Sequence, residues 1–494
     1  MTTAPSRGRG VRHAARLLTP SAFAVAYVLI SFANTPTPVT GLLRPLLIAV
    51  ALPFAVTALV AVLTRSPALA VMVGTIMVVA SSEVWLAFAV IGIAVAWGLV
   101  IGLGRRLRGA PLPPLRLQRV AHLTGVFGAL FAVVSGVSAV PAAAASIGLG
   151  FDTPRGSATA GDPDILVLLL DGYPRSDVLR EAFDYDNSAF EGDLARLGFE
   201  VVETSRSNYT ATWATLASLF HGEYLDAIPD LAPFPTDATQ QYTALMRAIA
   251  DGSQLAALRE RGYEIVAIPP PFGAAALLSA DRTLDGGQMT SFELSLLQHS
   301  PLLREIQAVA PDFVLDQQRD RIASDLRSLT RVVDETRDHP VFLWAHLLNP
   351  HAPILYDADG SAAALPACFP GDCSLWAFAR EAEWDRLPGQ VGTINRLVVD
   401  ALDDVVRADP DAILVVMSDH GHRAPGRPES DLLANFLAIR MPDPDAEPPK
   451  DLAPVDLLHA ISALAFDTPF EPHPYRAWIS DAEAPLTMHP FAGD

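Results

Sequence analysis

Five apolar stretches crowd into the first 150 residues, at roughly Leu17 to Phe32, Leu46 to Leu63, Pro67 to Ala80, Val84 to Leu103 and Val120 to Val140, and no ordinary water-soluble domain accommodates them. The third is short for a crossing. Only Ser81, Ser82 and Glu83 separate it from the fourth, so these two either span or form a shallow hairpin, and the number of crossings stays odd either way. The same residues carry eleven arginines and a single acid, Glu83, whereas the rest of the chain carries 24 basic and 54 acidic residues. Two bodies of opposite charge therefore share one chain. The acidic body excludes nucleic acid as a partner, because phosphate backbones need a basic footprint.

The arginines orient the membrane half. Those of the N-terminus, Arg65 and the cluster Arg105, Arg106, Arg108, Arg116 and Arg119 fall on one side, and Arg44 alone falls on the other. The basic side is cytoplasmic. An odd number of crossings then delivers everything after about Ala142 to the outer face, which predicts a multi-pass plasma-membrane protein with an extracytoplasmic soluble half. A signal peptide ahead of a secreted domain carries one apolar core and not five. Small residues at Ala142 to Ser146 resemble a signal-peptidase site, so shedding of the soluble half is a second expectation. Cys368 and Cys373 flank a Pro-Gly turn and fit a small loop disulfide in an oxidising space, with two free thiols as the alternative.

Beyond Asp162 the pattern alternates. Ile165 to Leu170, Phe199 to Glu203, Glu264 to Ile268, Val341 to Leu347, Ile413 to Met417 and Asn435 to Ile439 read as strands; Asn187 to Leu197, Gln240 to Arg261, Gln317 to Arg337 and Gly389 to Arg407 read as helices. Short, fully apolar strands between amphipathic helices predict an α/β domain, a mostly parallel sheet covered by helices on both faces. The expected organisation is a transmembrane domain of about five helices over 1–150, a linker at 151–162 and a catalytic domain over 163–494.

Such sheets bind ligands beyond the carboxyl ends of their strands. Two strands there end in acids, at Asp171-Gly172 and at Asp419-His420-Gly421-His422. Two carboxylates and an imidazole on one rim suit a divalent cation, although Asp-Gly after a strand is also a common turn. His422 is either next to that site or solvated. The segment Ser207-Asn208-Tyr209-Thr210-Ala211-Thr212 precedes an apolar helical stretch, so Thr212 reads either as a helix cap or as a nucleophile at a helix N-terminus. His346 and His351 stand at and just after the end of a strand. His346 is a core histidine or a site residue, and His351, between two prolines, is placed to meet an anion or protonate a leaving group.

Taken in order, Leu169-Leu170-Asp171-Gly172-Tyr173, Asn208-Tyr-Thr-Ala-Thr212 with Leu216-Ala-Ser218, His346 with Pro350-His351-x-Pro353, and Ser418-Asp-His-Gly421 resemble the sulfatase-like branch of the alkaline phosphatase superfamily. Helices ahead of an external catalytic domain are similar to the layout of lipoteichoic acid synthases and phosphoethanolamine transferases. The resemblance covers roughly residues 163 to 480. It implies an alkaline phosphatase-like fold, one divalent metal held by Asp171, Thr212, Asp419 and His420, and Thr212 as the attacking group, with His351 and His346 handling the ester. Mn²⁺, Zn²⁺ and Mg²⁺ suit such ligands, and Ca²⁺ fits less well. The Cys/Ser-x-Pro-x-Arg signature of formylglycine sulfatases is missing, which points to phosphoryl chemistry. The expected activity is a membrane-bound phosphotransferase working through a phospho-threonine on a membrane lipid or surface glycan. A phosphoric or sulfuric ester hydrolase and a non-catalytic membrane sensor are the alternatives.

Overall fold

The computed structural model describes residues 17–35, 37, 39–80, 117–146, 156, 161–298, 302–363, 385–422, 427–443, 446–481 and 483–493. They form two compact units, Met1–Ala144 with Phe292–Ile306, and Ala145–Ser291 with Gln307–Asp494.

The first unit is helical. It contains α1 (Thr19–Ala33), α2 (Leu43–Thr64, entered through a 3₁₀ turn, Val39–Leu42), α3 (Pro67–Ala80) and α4 (Leu117–Ser146). Leu47, Ile48, Leu52, Leu59, Val62 and Leu63 of α2 and Val126, Leu130, Val133 and Val137 of α4 are exposed, an arrangement stable only against lipid or another apolar surface. Among the described residues, one helix, Val39–Thr64, is long and apolar enough to cross a membrane; Thr19–Ala33, Pro67–Val78 and Thr124–Val137 are shorter apolar helices. At 1.5 Å per residue the 14 residues of α3 reach about 21 Å, short of a hydrocarbon core of about 30 Å. The expectation of about five crossings is thus not confirmed: among the described residues one helix qualifies, and the fourth apolar stretch, Val84 to Leu103, lies outside them. So do Cys368 and Cys373. Ala142 to Ser146 is the last turn of α4.

The second unit is built on a mixed sheet of seven described strands: β1 (Ile165–Leu170), β2 (Glu200–Val201), β3 (Glu264–Ile268), β4 (Arg282–Thr283), β5 (Val341–Leu347), β6 (Ile413–Met417) and β7 (Leu437–Arg440), in the order β2-β7-β6-β1-β5-β3-β4. Pairing from β6 to β4 is parallel, while β7 runs antiparallel to both β6 and β2. Four of the expected strands match their observed limits, because an unbroken apolar run is what a strand covered on both faces requires. Two further strands, β8 (Trp478–Ser480) and β9 (Met488–Pro490), form a separate antiparallel pair.

The helices, continuing in chain order, are α5 (Ser176–Phe183), α6 (Ser188–Arg196), α7 (Thr212–His221), α8 (Ala238–Ala250), α9 (Ser253–Glu260), α10 (Ser291–Gln298), α11 (Leu302–Val309), α12 (Phe313–Val333), α13 (Leu387–Ala408), α14 (Glu429–Leu433) and α15 (Pro454–Phe466). Gln240 to Arg261, expected as one helix, is two, broken at Asp251-Gly252. A Cβ at Gly252 would lie 2.6 to 3.0 Å from atoms of Phe220, so α9 begins where the chain passes too close to α7 for a side chain. One face of the sheet packs Ile165, Val167, Leu169, Phe342, Trp344, Val415 and Met417 against α7, α8, α9 and α15. The other packs Leu166, Leu168, Leu170, Leu343, Leu347 and Val416 against α5, α6, α12 and α13.

Candidate active site

The strand phase decides where the chemistry faces. Along a strand, alternate residues share a face. Asp171 stands two residues past Leu169, His346 two past Trp344 and Asp419 two past Met417, so all three continue the face that α7 covers. β1 is hydrogen-bonded between β5 and β6 in parallel, which brings their carboxyl ends to one rim. Beyond the strands the ladder is extended by Asp171 N–H donating to Leu347 O (3.0 Å) and His351 N–H donating to Asp171 O (3.0 Å).

At that rim Asp171, Asp419 and His420 converge, all buried, with one ligand atom from each within 4.8 Å of the others. His420 Nε2 lies 3.4 Å from Asp419 Oδ2 and 3.8 Å from Asp171 Oδ1. Its Nδ1 is 2.6 Å from Gly421 O, which assigns the ring proton to Nδ1 and leaves the Nε2 lone pair facing the carboxylates. Asp419 Oδ1 accepts from Gly172 N–H (3.0 Å), and Asp171 Oδ2 lies 3.2 Å from His346 Nε2. Among the described residues, Asp171 Oδ1 and Asp419 Oδ2 have no hydrogen-bond partner. Two orphaned buried carboxylate oxygens beside an imidazole lone pair are costly on their own and complementary to a divalent cation. Burial by itself would raise the Asp171 carboxyl. The hydrogen bond from His346 and the electrostatic influence of the neighbouring His351, His346 and His420 rings outweigh burial and carry it below the ordinary carboxylate value.

Backbone detail positions these groups. Gly172 adopts φ 63°, a left-handed turn open to glycine, and a Cβ there would sit 3.4 Å from the His420 ring and 3.7 Å from that of His351. His351 thus lies over the same turn, between cis peptide bonds at Asn349-Pro350 and Ala352-Pro353, with its Nδ1 2.9 Å from Ala352 O. His346 is 1% exposed, and its Nε2 meets the Asp171 carboxylate rather than a backbone carbonyl. His422 is buried edge-on against Phe183, not solvated.

Thr212 is the first residue of α7, 8% exposed, and the N-cap position belongs to Ala211. Among the described residues no side-chain hydrogen bond caps this helix, so the cap reading of Thr212 fails, and Thr212 lies at the helix's positive end. Thr210 is occupied elsewhere: its hydroxyl accepts from Ser480 N–H (2.9 Å). Ser207 joins α7 to the acidic rim. Its hydroxyl donates to Asp419 O (2.5 Å) and lies 3.4 Å from the Thr215 hydroxyl, one turn along α7 from Thr212. Asn435 supports the same rim, donating to Ser418 O (2.8 Å) and accepting from Ser205 (3.0 Å). Neither Ser207 nor Asn435 is legible as functional in the sequence, since each acts on the backbone of a distant segment.

No protein-family model matches the chain, and no curated protein matches it. Among solved structures it is similar to the C-terminal periplasmic domain of EcEptC from Escherichia coli, at 14% identity over 69% of this chain and 96% of that one with a TM-score of 0.42. It is also similar to the integral membrane lipooligosaccharide phosphoethanolamine transferase A of Neisseria meningitidis, at 12% identity over 94% of this chain and 85% of that one, TM-score 0.38. A third is the phosphonate monoester hydrolase of Agrobacterium radiobacter, at 14% identity over 66% and 82%, TM-score 0.40.

Proposed function

We propose that the chain is a membrane-anchored, divalent-metal-dependent phosphotransferase whose external half forms a covalent phospho-threonine at Thr212. The observation that carries this reading is the meeting of Asp171, Asp419 and His420 at one buried rim with two carboxylate oxygens left without partners among the described residues. Asp171, Asp419, His420 and the Thr212 hydroxyl would hold the cation. A cation bound there supplies positive charge to the ester oxygens and lowers the pKa of a coordinated hydroxyl. Thr212 Oγ, its hydroxyl proton released to solvent, attacks phosphorus, forming the Oγ–P bond as the bond to the leaving oxygen breaks. The positive end of α7 stabilises the charge that builds on the phosphoryl oxygens. His351 gives a proton to the leaving oxygen and takes one from the acceptor that later attacks the phospho-threonine. His346 holds the Asp171 carboxylate in place.

The lopsided arginine distribution supports a cytoplasmic N-terminus and an outward catalytic domain, with several of the apolar stretches crossing. A multi-helix anchor supports a donor or acceptor at the membrane surface, a lipid or a surface glycan. The test is mass spectrometry of the protein after incubation with labelled phospholipid, together with bound metal and turnover. Wild type acquires a phosphoryl-containing adduct on Thr212, and Thr212→Ala acquires none. An active Thr212→Ala would sink the covalent mechanism, and transfer to water alone would make the enzyme a hydrolase.

A further inference from the structure

The chain passes between the two units more often than a tethered domain needs to. It leaves the second unit after Ser291, contributes Phe292–Ile306 to the first, and returns at Gln307. This excursion is built into the core of the membrane unit. Phe292 is 1% exposed and packs edge-on against Phe32 of α1, ring centroids 6.2 Å apart, in a cluster with Val28, Leu42 of the turn before α2, Ala49 of α2 and Ala139 of α4. Tyr27 OH donates to Leu296 O (3.3 Å). Glu293 is ion-paired with Arg44, the one arginine that falls on the outer side of the charge pattern. The exception to that pattern is thus paired within its own unit, by a residue of the returning segment. At the point of departure, Ser291 donates both its N–H and its hydroxyl to Pro271 O, fixing where the segment leaves the catalytic body.

We propose that residues 292–306 are a docking segment whose partner is the membrane unit of the same chain, and that it retains the catalytic half on the membrane after the linker at 147–160 is cut. Release then requires extracting Phe292 and Leu296 from the helix cluster and breaking the Glu293–Arg44 pair, besides cleaving the linker. Proteolysis following α4 therefore does not shed the enzyme, contrary to the expectation from the small residues at Ala142 to Ser146. The proposal is independent of the reaction assigned to the active site, because its readout is where the polypeptide sediments.

The experiment uses full-length protein in native membranes with a site-specific protease sequence inserted within 147–160. After complete cleavage the fragment ending at Asp494 should remain in the membrane pellet. Phe292→Asp should raise the released fraction by about tenfold or more, the factor expected for losing one buried aromatic side chain. Glu293→Arg should release part of the fragment, and combining it with Arg44→Glu should return the fragment to the pellet. Release of the unmodified fragment to the same extent as Phe292→Asp would overturn the proposal. So would full retention of Phe292→Asp, or release by Glu293→Arg that the charge swap does not reverse.

Discussion

Individual side chains separate binding from turnover. Asp419→Asn and His420→Ala each remove a ligand atom from a buried three-residue set, so bound metal and activity should fall together when measured on the same samples. His351→Ala should keep its metal and lose about 10²- to 10⁴-fold in turnover, the range for a group that transfers a proton. Thr210→Ala should cost about 1 kcal/mol of stability with activity retained, since its hydroxyl accepts a hydrogen bond from Ser480 N–H. Away from the site, burial pushes the Asp325 carboxyl of α12 up to about 7 against the positive charge of Arg321. Its folded pKa lies above the unfolded value of 3.8, so the native chain keeps a proton that the unfolded chain has lost between these limits. Stability from this group is complete below about pH 4 and declines as pH rises toward 7. Thermal unfolding at pH 5 and pH 8 should show Asp325→Asn gaining on wild type at the higher pH; equal gaps at both would contradict the shift.

At the scale of elements, β1 matters most, because it lies between β5 and β6 and ends in Asp171. Leu169 is fully buried, and Leu169→Ala should cost about 2 to 5 kcal/mol in denaturant unfolding of the catalytic half. It should also loosen metal retention, since Leu169 shares its face with Asp171. The central strands were legible because a continuous apolar run bounded by turn residues has few other uses, and the acids of the rim were legible because they directly follow two such runs. The antiparallel direction of β7 was not, as periodicity carries no information about strand direction. Thr212 was readable as a helix start, but whether its hydroxyl or Ala211 occupies the cap depends on backbone dihedrals that composition does not encode. The excursion at 292–306 was invisible for a related reason: Phe292, Glu293 and Leu296 look like an ordinary short helix until their partners near residues 27 to 49 are placed beside them.

For the whole molecule, charge asymmetry predicts topology. A reporter active only outside the cell should be active when fused after Asp494 and silent when fused near Arg108, and the reverse would invert the assignment. The sheet adds a constraint on assembly. Gly172 and Asp419, bonded to each other at the rim, are separated by 247 positions, and β6 must slot against β1 before the two carboxylates meet. On the proposed topology, the emerging chain would carry Asp171 across the bilayer long before Asp419 and His420 follow. No binding pocket exists until the last third of the polypeptide has been exported and folded. Under the proposed function, a cation at this rim would then be drawn from whatever the outer compartment supplies, so divalent availability there, and not in the cytosol, would select the metal.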